Sequence, residues 1–290
     1  MQPIASSELI LNSRGAIYHL DTLPSEIATT IITVGDPNRV PDVSQHFDSI
    51  EIKNTHREFV VHTGYIGTKH ISCVATGIGP DNIDIVLNEL DALVNIDFET
   101  RLIKPSITTL QILRLGTSGS LQAHIAIDSY VVSTHAIGID NMMNYYKTET
   151  NNEIDELLQA FNNHTNITNI TQPYAFAASS SLLAKFTSGF HHGVTVTCPG
   201  FYGPQGRVLR LPIVQPQLIN SLTSFRHGNL LISNFEMETA AIYGLCNALG
   251  HKCISLSAMV ANRVTGNFST DGKKLVDGLI AKALPIIELM

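Results

Sequence analysis

Leu230-Leu-Ile-Ser-Asn-Phe-Glu-Met-Glu-Thr-Ala-Ala-Ile-Tyr-Gly244 is an apolar run that turns briefly polar and then resumes with good helix formers. The pattern predicts a buried strand that hands Glu236, Met237 and Glu238 to the N-terminus of a helix, which is the unit of an α/β fold. Acids suit a first helical turn because they complement its free N–H groups and the positive end of its dipole. Two carboxylates two residues apart point in different directions, so only one of them can serve any single ligand atom. Taken locally, both acids read as helix caps.

The same unit recurs on either side. Residues 27–34 form a β-branched run that stops at Gly35-Asp-Pro37, and 38–47 open a short helix. Residues 59–75 read as two strands joined around Gly67, followed by Thr76-Gly-Ile-Gly-Pro80 and a helix over 82–93. Residues 107–115 are another apolar strand, ended by the turn Gly116-Thr-Ser-Gly-Ser120, and 125–134 are a further strand. Residues 140–170 are polar and Asn-rich with helical spacing only over 153–161, so they are expected to be a surface excursion. A strand at 194–198, a glycine- and proline-rich loop at 199–206, a strand at 253–261 and a helix over 274–289 complete the chain. No repeat, charge block or linker interrupts it, so residues 1–290 are expected to form a single α/β domain.

Composition narrows the function classes. With 18 Lys and Arg against 25 Asp and Glu the formal charge is −7, which argues against a nucleic-acid surface. The four cysteines include no C-x-x-C pair and sit mostly among apolar neighbours, so reduced buried thiols are expected. The start, Met1-Gln-Pro-Ile-Ala-Ser-Ser-Glu8, lacks a basic region and a long apolar core, and no apolar run approaches the ~18 residues of a membrane span. A cytoplasmic protein that engages neither nucleic acid nor membrane is the expectation.

Open α/β sheets bind ligands in the turns at the carboxyl ends of their strands. In this chain those positions hold Arg39, Arg114 and Thr117, with Arg57 close by in Thr55-His-Arg-Glu-Phe59. Forked guanidinium donors beside exposed backbone N–H groups are what a phosphate dianion requires.

These segments resemble the nucleoside phosphorylases, and among them the uridine phosphorylases. Gly35-Asp-Pro-Asn-Arg39 is similar to the family's Gly-Asp-Pro-x-Arg loop, and His56-Arg-Glu-Phe59 to its His-Arg-Glu-Phe segment. Leu113-Arg-Leu-Gly-Thr-Ser-Gly119 looks like the Arg-x-Gly-Thr-x-Gly phosphate loop, and Asn234-Phe-Glu-Met-Glu-Thr239 like the Glu-Met-Glu ribose motif. Phe201-Tyr-Gly-Pro-Gln-Gly-Arg207 resembles the Phe-Tyr-x-x-Gln-x-Arg signature of the uridine-cleaving members, with Gly203-Pro204 reversing the family's Pro-Gly order. The motifs stand in the family's order.

The resemblance implies a three-layer α/β/α fold with a central mixed sheet flanked by helices. It implies that Gly35, Arg39, Arg114 and Thr117 hold phosphate, with Arg57 supplied by a neighbouring subunit. Met237 and Glu238 would hold ribose, with His19 of the neighbour approaching the 5′-hydroxyl, while Glu236 would keep a structural role. Phe201 would stack on the base, and Gln205 and Arg207 would match the donors and acceptors along the uracil edge. Arg263 matches an arginine that helps order the site; with Arg114 and Glu238 it makes up the expected catalytic set.

The implied reaction is phosphorolysis of uridine, or of deoxyuridine or thymidine, to uracil or thymine and the pentose 1-phosphate, as in pyrimidine salvage. Phosphate is a co-substrate, no cofactor is required, and no nucleophilic triad is recognisable. A potassium ion held by Glu58, with oxygens near Ile78 and with Asn82 in place of the family's serine, is a further implication. So is a homo-oligomer of dimers that share active sites, arranged as a trimer of dimers. Bacterial-type purine enzymes carry an Asp where Asn262 stands in Val260-Ala-Asn-Arg-Val264, and an amide cannot act as a general acid. A purine or broad-specificity phosphorylase, a hydrolysing nucleosidase and a silent nucleoside-binding or storage protein are the alternatives.

Overall fold

The computed structural model describes residues 2–290. Its framework is a 12-stranded mixed sheet. Four strands lie side by side and parallel at its centre: Lys69–Ala75, Thr30–Val34, Gln111–Ser120 and Lys252–Asn262. Antiparallel strands Phe59–Ile66 and Ser49–His56 extend one edge. On the other side Tyr130–Gly138 runs antiparallel to Lys252–Asn262, and His191–Thr197 and Leu230–Glu236 follow in parallel.

The sheet then returns to itself. Asn234 and Phe235 pair with Ser120 and Gly119, so the strands from Gln111–Ser120 round to Leu230–Glu236 close into a barrel. This pairing explains why Gly116-Thr-Ser-Gly-Ser120 is strand, where the glycines had suggested a turn. Its backbone is paired with Ser257–Asn262 on one side and with the Leu230–Glu236 strand on the other. Buried polar side chains reinforce the closure: Ser118 Oγ donates to the Phe235 carbonyl at 2.7 Å and Asn234 Nδ2 donates to Ser118 Oγ at 2.8 Å.

Both faces of the central strands are buried, as parallel sheets require. Ile31 and Ile112 join the helices Pro80–Asn95 and Thr239–Leu249 in one core. Their chain neighbours Ile32 and Leu113 face the opposite way, into a core built with Gly272–Glu288 and Arg39–Ser44. A mixed sheet with helices on both faces is therefore the observed architecture. A third core lies under Asn152–Thr165 and Leu218–Ser224.

That third core corrects the reading of residues 140–170. Ile154, Leu157 and Phe161 are buried beneath a helix spanning Asn152–Thr165, longer at both ends than the spacing suggested. Its asparagines are caps as well as loop formers: Asn151 accepts from the Ile154 amide at 3.0 Å, and Asn166 ends the helix in the left-handed region at φ 51°. Other boundaries shift too. The strand expected at 125–134 begins at Tyr130, and the one expected from 107 begins at Gln111. Ser49–His56 and Tyr174–Ala177 were not foreseen, the first because an edge strand exposes alternate residues and carries no apolar run. All four cysteines are buried and unbridged. No helix among the described residues is long and apolar enough to cross a membrane.

Candidate functional site

The carboxyl ends of the central strands, together with the loop after His191–Thr197, enclose a cavity of about 680 Å³, within the range of small-molecule sites. Gly35, Arg39, Arg114 and Thr117 line it, with Met237 and Glu238, and with Phe201, Gln205 and Arg207. Nine residues singled out from four separate segments of sequence thus reach one space.

Arg114 anchors one part of that space. It lies inside a strand and is buried, which a guanidinium tolerates only with partners. Nη2 is paired with Glu236 at 3.1 Å and with Glu238. Nη1 is buried and has no hydrogen-bond partner among the described residues. A buried donor without an acceptor marks a place where a ligand oxygen is missing. Burial pushes the Arg114 pKa down, but Glu236 and Glu238 more than offset it, so the group stays cationic.

The two acids divide as their spacing requires. Glu236 accepts from the amides of Glu238 and Thr239, both at 2.9 Å, and from Thr197 Oγ1 at 2.7 Å, which caps the helix Thr239–Leu249. Glu238 turns into the cavity, where the Gly79 amide donates to it at 2.8 Å. Burial raises its pKa and the charge of Glu236 adds to that, against the pull of Arg114 and the Gly79 amide. Gly79 was not singled out from sequence, although Thr76-Gly-Ile-Gly-Pro80 carried the signal. Its φ of 96° is one that glycine adopts most easily, and it turns the amide inward.

Arg39 opens the helix Arg39–Ser44 and forms no ion pair among the described residues. Burial, and then the neighbouring charge of Arg114, lower its pKa. Two guanidiniums that raise each other's energy, one with a free buried donor, create a strong local preference for an anion.

The second cluster lies on the loop Pro199–Gly206 and just beyond it. Gln205 is buried, and Arg207 Nη1 donates to its Oε1 at 2.5 Å and to the Phe201 carbonyl at 2.7 Å. The Arg207 guanidinium sits 3.8 Å from the Phe201 ring centroid, so one face of the ring expected to stack on a base is covered by this arginine. Arg263 does not line the cavity; its Nη1 donates to the Gln205 backbone carbonyl at 3.0 Å and steadies the loop. Asn262 is buried, and its amide donates to the Gln122 and Ile125 carbonyls, each at 2.9 Å. Phe235, missed from sequence because it reads as core, lines the cavity, with the Arg207 and Arg263 guanidiniums 5.7 and 5.6 Å from its ring.

His19 and Arg57 do not reach the cavity of their own chain. Their segments meet through neighbouring residues instead: Arg57 Nη2 donates to the Tyr18 hydroxyl at 3.4 Å, and the His19 carbonyl lies 3.1 Å from His56 Nδ1. Glu58, beside Arg57, lines the cavity with Ile78 and Asn82. Asn82 Nδ2 donates to the Ile78 carbonyl at 3.4 Å. Among the described residues no group of three or more His, Cys, Asp or Glu could hold a metal ion. One carboxylate beside carbonyl oxygens is a donor set for a monovalent cation only if another chain adds ligands.

The chain is similar to known proteins along most of its length. The model of the phosphorylase superfamily matches residues 29–282. The uridine phosphorylase of Thermococcus kodakarensis is 27% identical over 99% of this chain and 92% of its own. A DeoD-type purine nucleoside phosphorylase of Alkaliphilus metalliredigens is 26% identical over 93% of this chain and 99% of its own. The crystal structure of a Trypanosoma brucei nucleoside phosphorylase that shows uridine phosphorylase activity matches with a TM-score of 0.88 and 29% identity, over 97% of this chain and 99% of that one.

Proposed function

Because the chain belongs to the phosphorylase superfamily, we propose that it is a uridine phosphorylase, converting uridine and phosphate reversibly to uracil and ribose 1-phosphate. One observation carries the reading: the unpartnered Arg114 Nη1 and the unpaired Arg39 share a single cavity with Glu238 and with the Gln205–Arg207 pair. An anion, a sugar diol and a planar edge of donors and acceptors are the three things those groups complement.

In this reading phosphate lies against Gly35, Arg39, Arg114 and Thr117. Met237 and Glu238 take the ribose, Glu238 accepting from its hydroxyls. Gln205 and Arg207 take the uracil, and as the glycosidic bond stretches their donors stabilise the charge that collects on the base oxygens. The phosphate dianion faces the oxocarbenium-like carbon and captures it, so positioning and electrostatics supply the catalysis. No organic cofactor enters. Two chains complete each site: Arg57 and His19 act on a partner's phosphate and ribose, and Glu58, the Ile78 carbonyl and Asn82 hold a monovalent cation at that interface. The dimers assemble further as a trimer, residues 1–290 act as one domain, and the protein works in the cytoplasm.

The test compares uridine with inosine. Release of uracil that requires phosphate, with inosine a poor substrate, is the expected result. Faster turnover of inosine would replace uridine by a purine nucleoside, and base release without phosphate would make the protein a nucleosidase.

A further inference from the structure

A turn near the start of the chain is tied to the first long helix by one carboxylate. Glu89, midway along Pro80–Asn95, is mostly buried, with 12% of its side chain exposed. It gathers His19 and Leu20. Its oxygens accept from the backbone amide of His19 at 3.0 and 3.1 Å and from that of Leu20 at 2.9 Å, and His19 Nδ1 lies 2.6 Å from Oε1. Nothing in the local sequence links these positions, which stand 70 residues apart.

Chemistry fixes the direction of that last bond. A carboxylate can only accept, so Nδ1 carries a proton, and in the neutral form of the ring Nε2 is then the lone pair. No partner is recorded for Nε2 among the described residues, while the ring plane is held from the sides: Tyr18 meets it edge-on at 4.9 Å and Phe59 at 6.2 Å. The His19 carbonyl lies 3.1 Å from His56 Nδ1. A histidine whose tautomer, rotamer and backbone are all fixed, with one nitrogen left unused, is prepared to meet a group from outside its own chain.

We propose that Glu89 is a positioning residue, which holds His19 in the Nδ1–H tautomer so that Nε2 accepts a hydrogen bond from the 5′-hydroxyl of the nucleoside in a partner's site. This rests on the reading of His19 under the proposed function. It extends that reading by making recognition of the 5′-position depend on a residue that never touches substrate. An acceptor at Nε2 suits a hydroxyl and disfavours a 5′-phosphate, whose oxygens can only accept. Glu89 thus selects nucleosides over nucleotides.

The test measures kcat/KM for uridine and 5′-deoxyuridine in the wild type, Glu89→Gln, His19→Ala and the double variant. The His19 and Leu20 amides keep the glutamine oxygen at the position of Oε2, so its NH2 faces Nδ1, moves the ring proton to Nε2 and removes the lone pair assigned to the 5′-hydroxyl. The expected result is a roughly tenfold preference of the wild type for uridine over 5′-deoxyuridine. Glu89→Gln and His19→Ala should each reduce that preference to about twofold or less, with no further loss in the double variant. Equal losses on both substrates would make Glu89 merely structural, and an unchanged preference in Glu89→Gln would overturn the proposal. A wild type that cleaves both substrates equally, with His19→Ala silent, would instead remove His19 from the ribose site. Should Glu89→Gln fail to fold, ¹⁵N NMR of histidine-labelled wild type decides. A pyridine-like Nε2 and a protonated Nδ1 for His19 above pH 8 support the proposal, and the reverse assignment overturns it.

Discussion

The guanidinium of Arg114 lies across Gly116, in the space that a β-carbon on that glycine would occupy. Both residues are on one strand, two positions apart, so their side-chain directions coincide and only the missing side chain lets the arginine lie flat against the backbone. Gly116→Ala should therefore push Arg114 off its pairing with Glu236 and Glu238 without disturbing the strand. We expect kcat/KM for phosphorolysis to fall by about 100-fold or more, as when a preorganised donor is lost. A steady-state titration with phosphate checks this, and thermal unfolding should show that the variant remains folded.

Glu236 predicts a different outcome. It caps a helix and shares Arg114, so Glu236→Gln leaves a buried guanidinium with one carboxylate and the helix N-terminus with a weaker acceptor. The expected loss of stability is about 2 kcal/mol, together with reduced activity. Urea denaturation measures it, and a variant as stable as the wild type would show that Glu238 alone balances Arg114.

Gln205→Ala separates base recognition from phosphate binding. Its buried amide is bonded to Arg207 and makes no hydrogen bond to Arg114. Uridine kcat/KM should drop roughly 10- to 100-fold while the phosphate KM stays within about twofold. Parallel substrate and phosphate titrations distinguish the two.

Asp140 carries a pH dependence unrelated to the reaction. Burial pushes its pKa from 3.8 up to about 6, and the hydrogen bonds from the Met142 amide and Tyr174 only partly oppose the shift. A group whose folded pKa is raised holds its proton more tightly in the folded state. Its contribution is complete below about pH 4 and is lost as the pH rises through 6. A shift of this size is worth up to ~3 kcal/mol. Comparing unfolding free energies at pH 4.5 and 7.5, Asp140→Asn should flatten the decline with pH seen in the wild type.

The strand and helix units were legible because buried parallel strands read as β-branched, largely apolar runs, as at Thr30–Val34. What sequence could not display was closure. Gly116 and Gly119 looked like a turn because local chemistry favours one there, and only distant pairings, with Ser257–Asn262 on one side and with Asn234 and Phe235 on the other, keep them extended. The same holds within the site. Arg114, Glu238, Gln205 and Arg207 were found through their motifs, and the cavity brings them together. Gly79 and Phe235 were missed, because a backbone amide and a core-like aromatic have no signature of their own. Spacing indicated only that Glu236 and Glu238 must divide, the family resemblance indicated which way, and the hydrogen bonds from Thr197 to Glu236 and from Gly79 to Glu238 set them apart in the structure.

The most direct test follows phosphorus. Purified protein incubated with uridine and inorganic phosphate is observed by ³¹P NMR while uracil is quantified in the same sample. If the protein is a uridine phosphorylase, a ribose 1-phosphate signal grows in step with uracil, and no uracil is released when phosphate is omitted. Uracil without ribose 1-phosphate, or no reaction under either condition, would contradict that assignment.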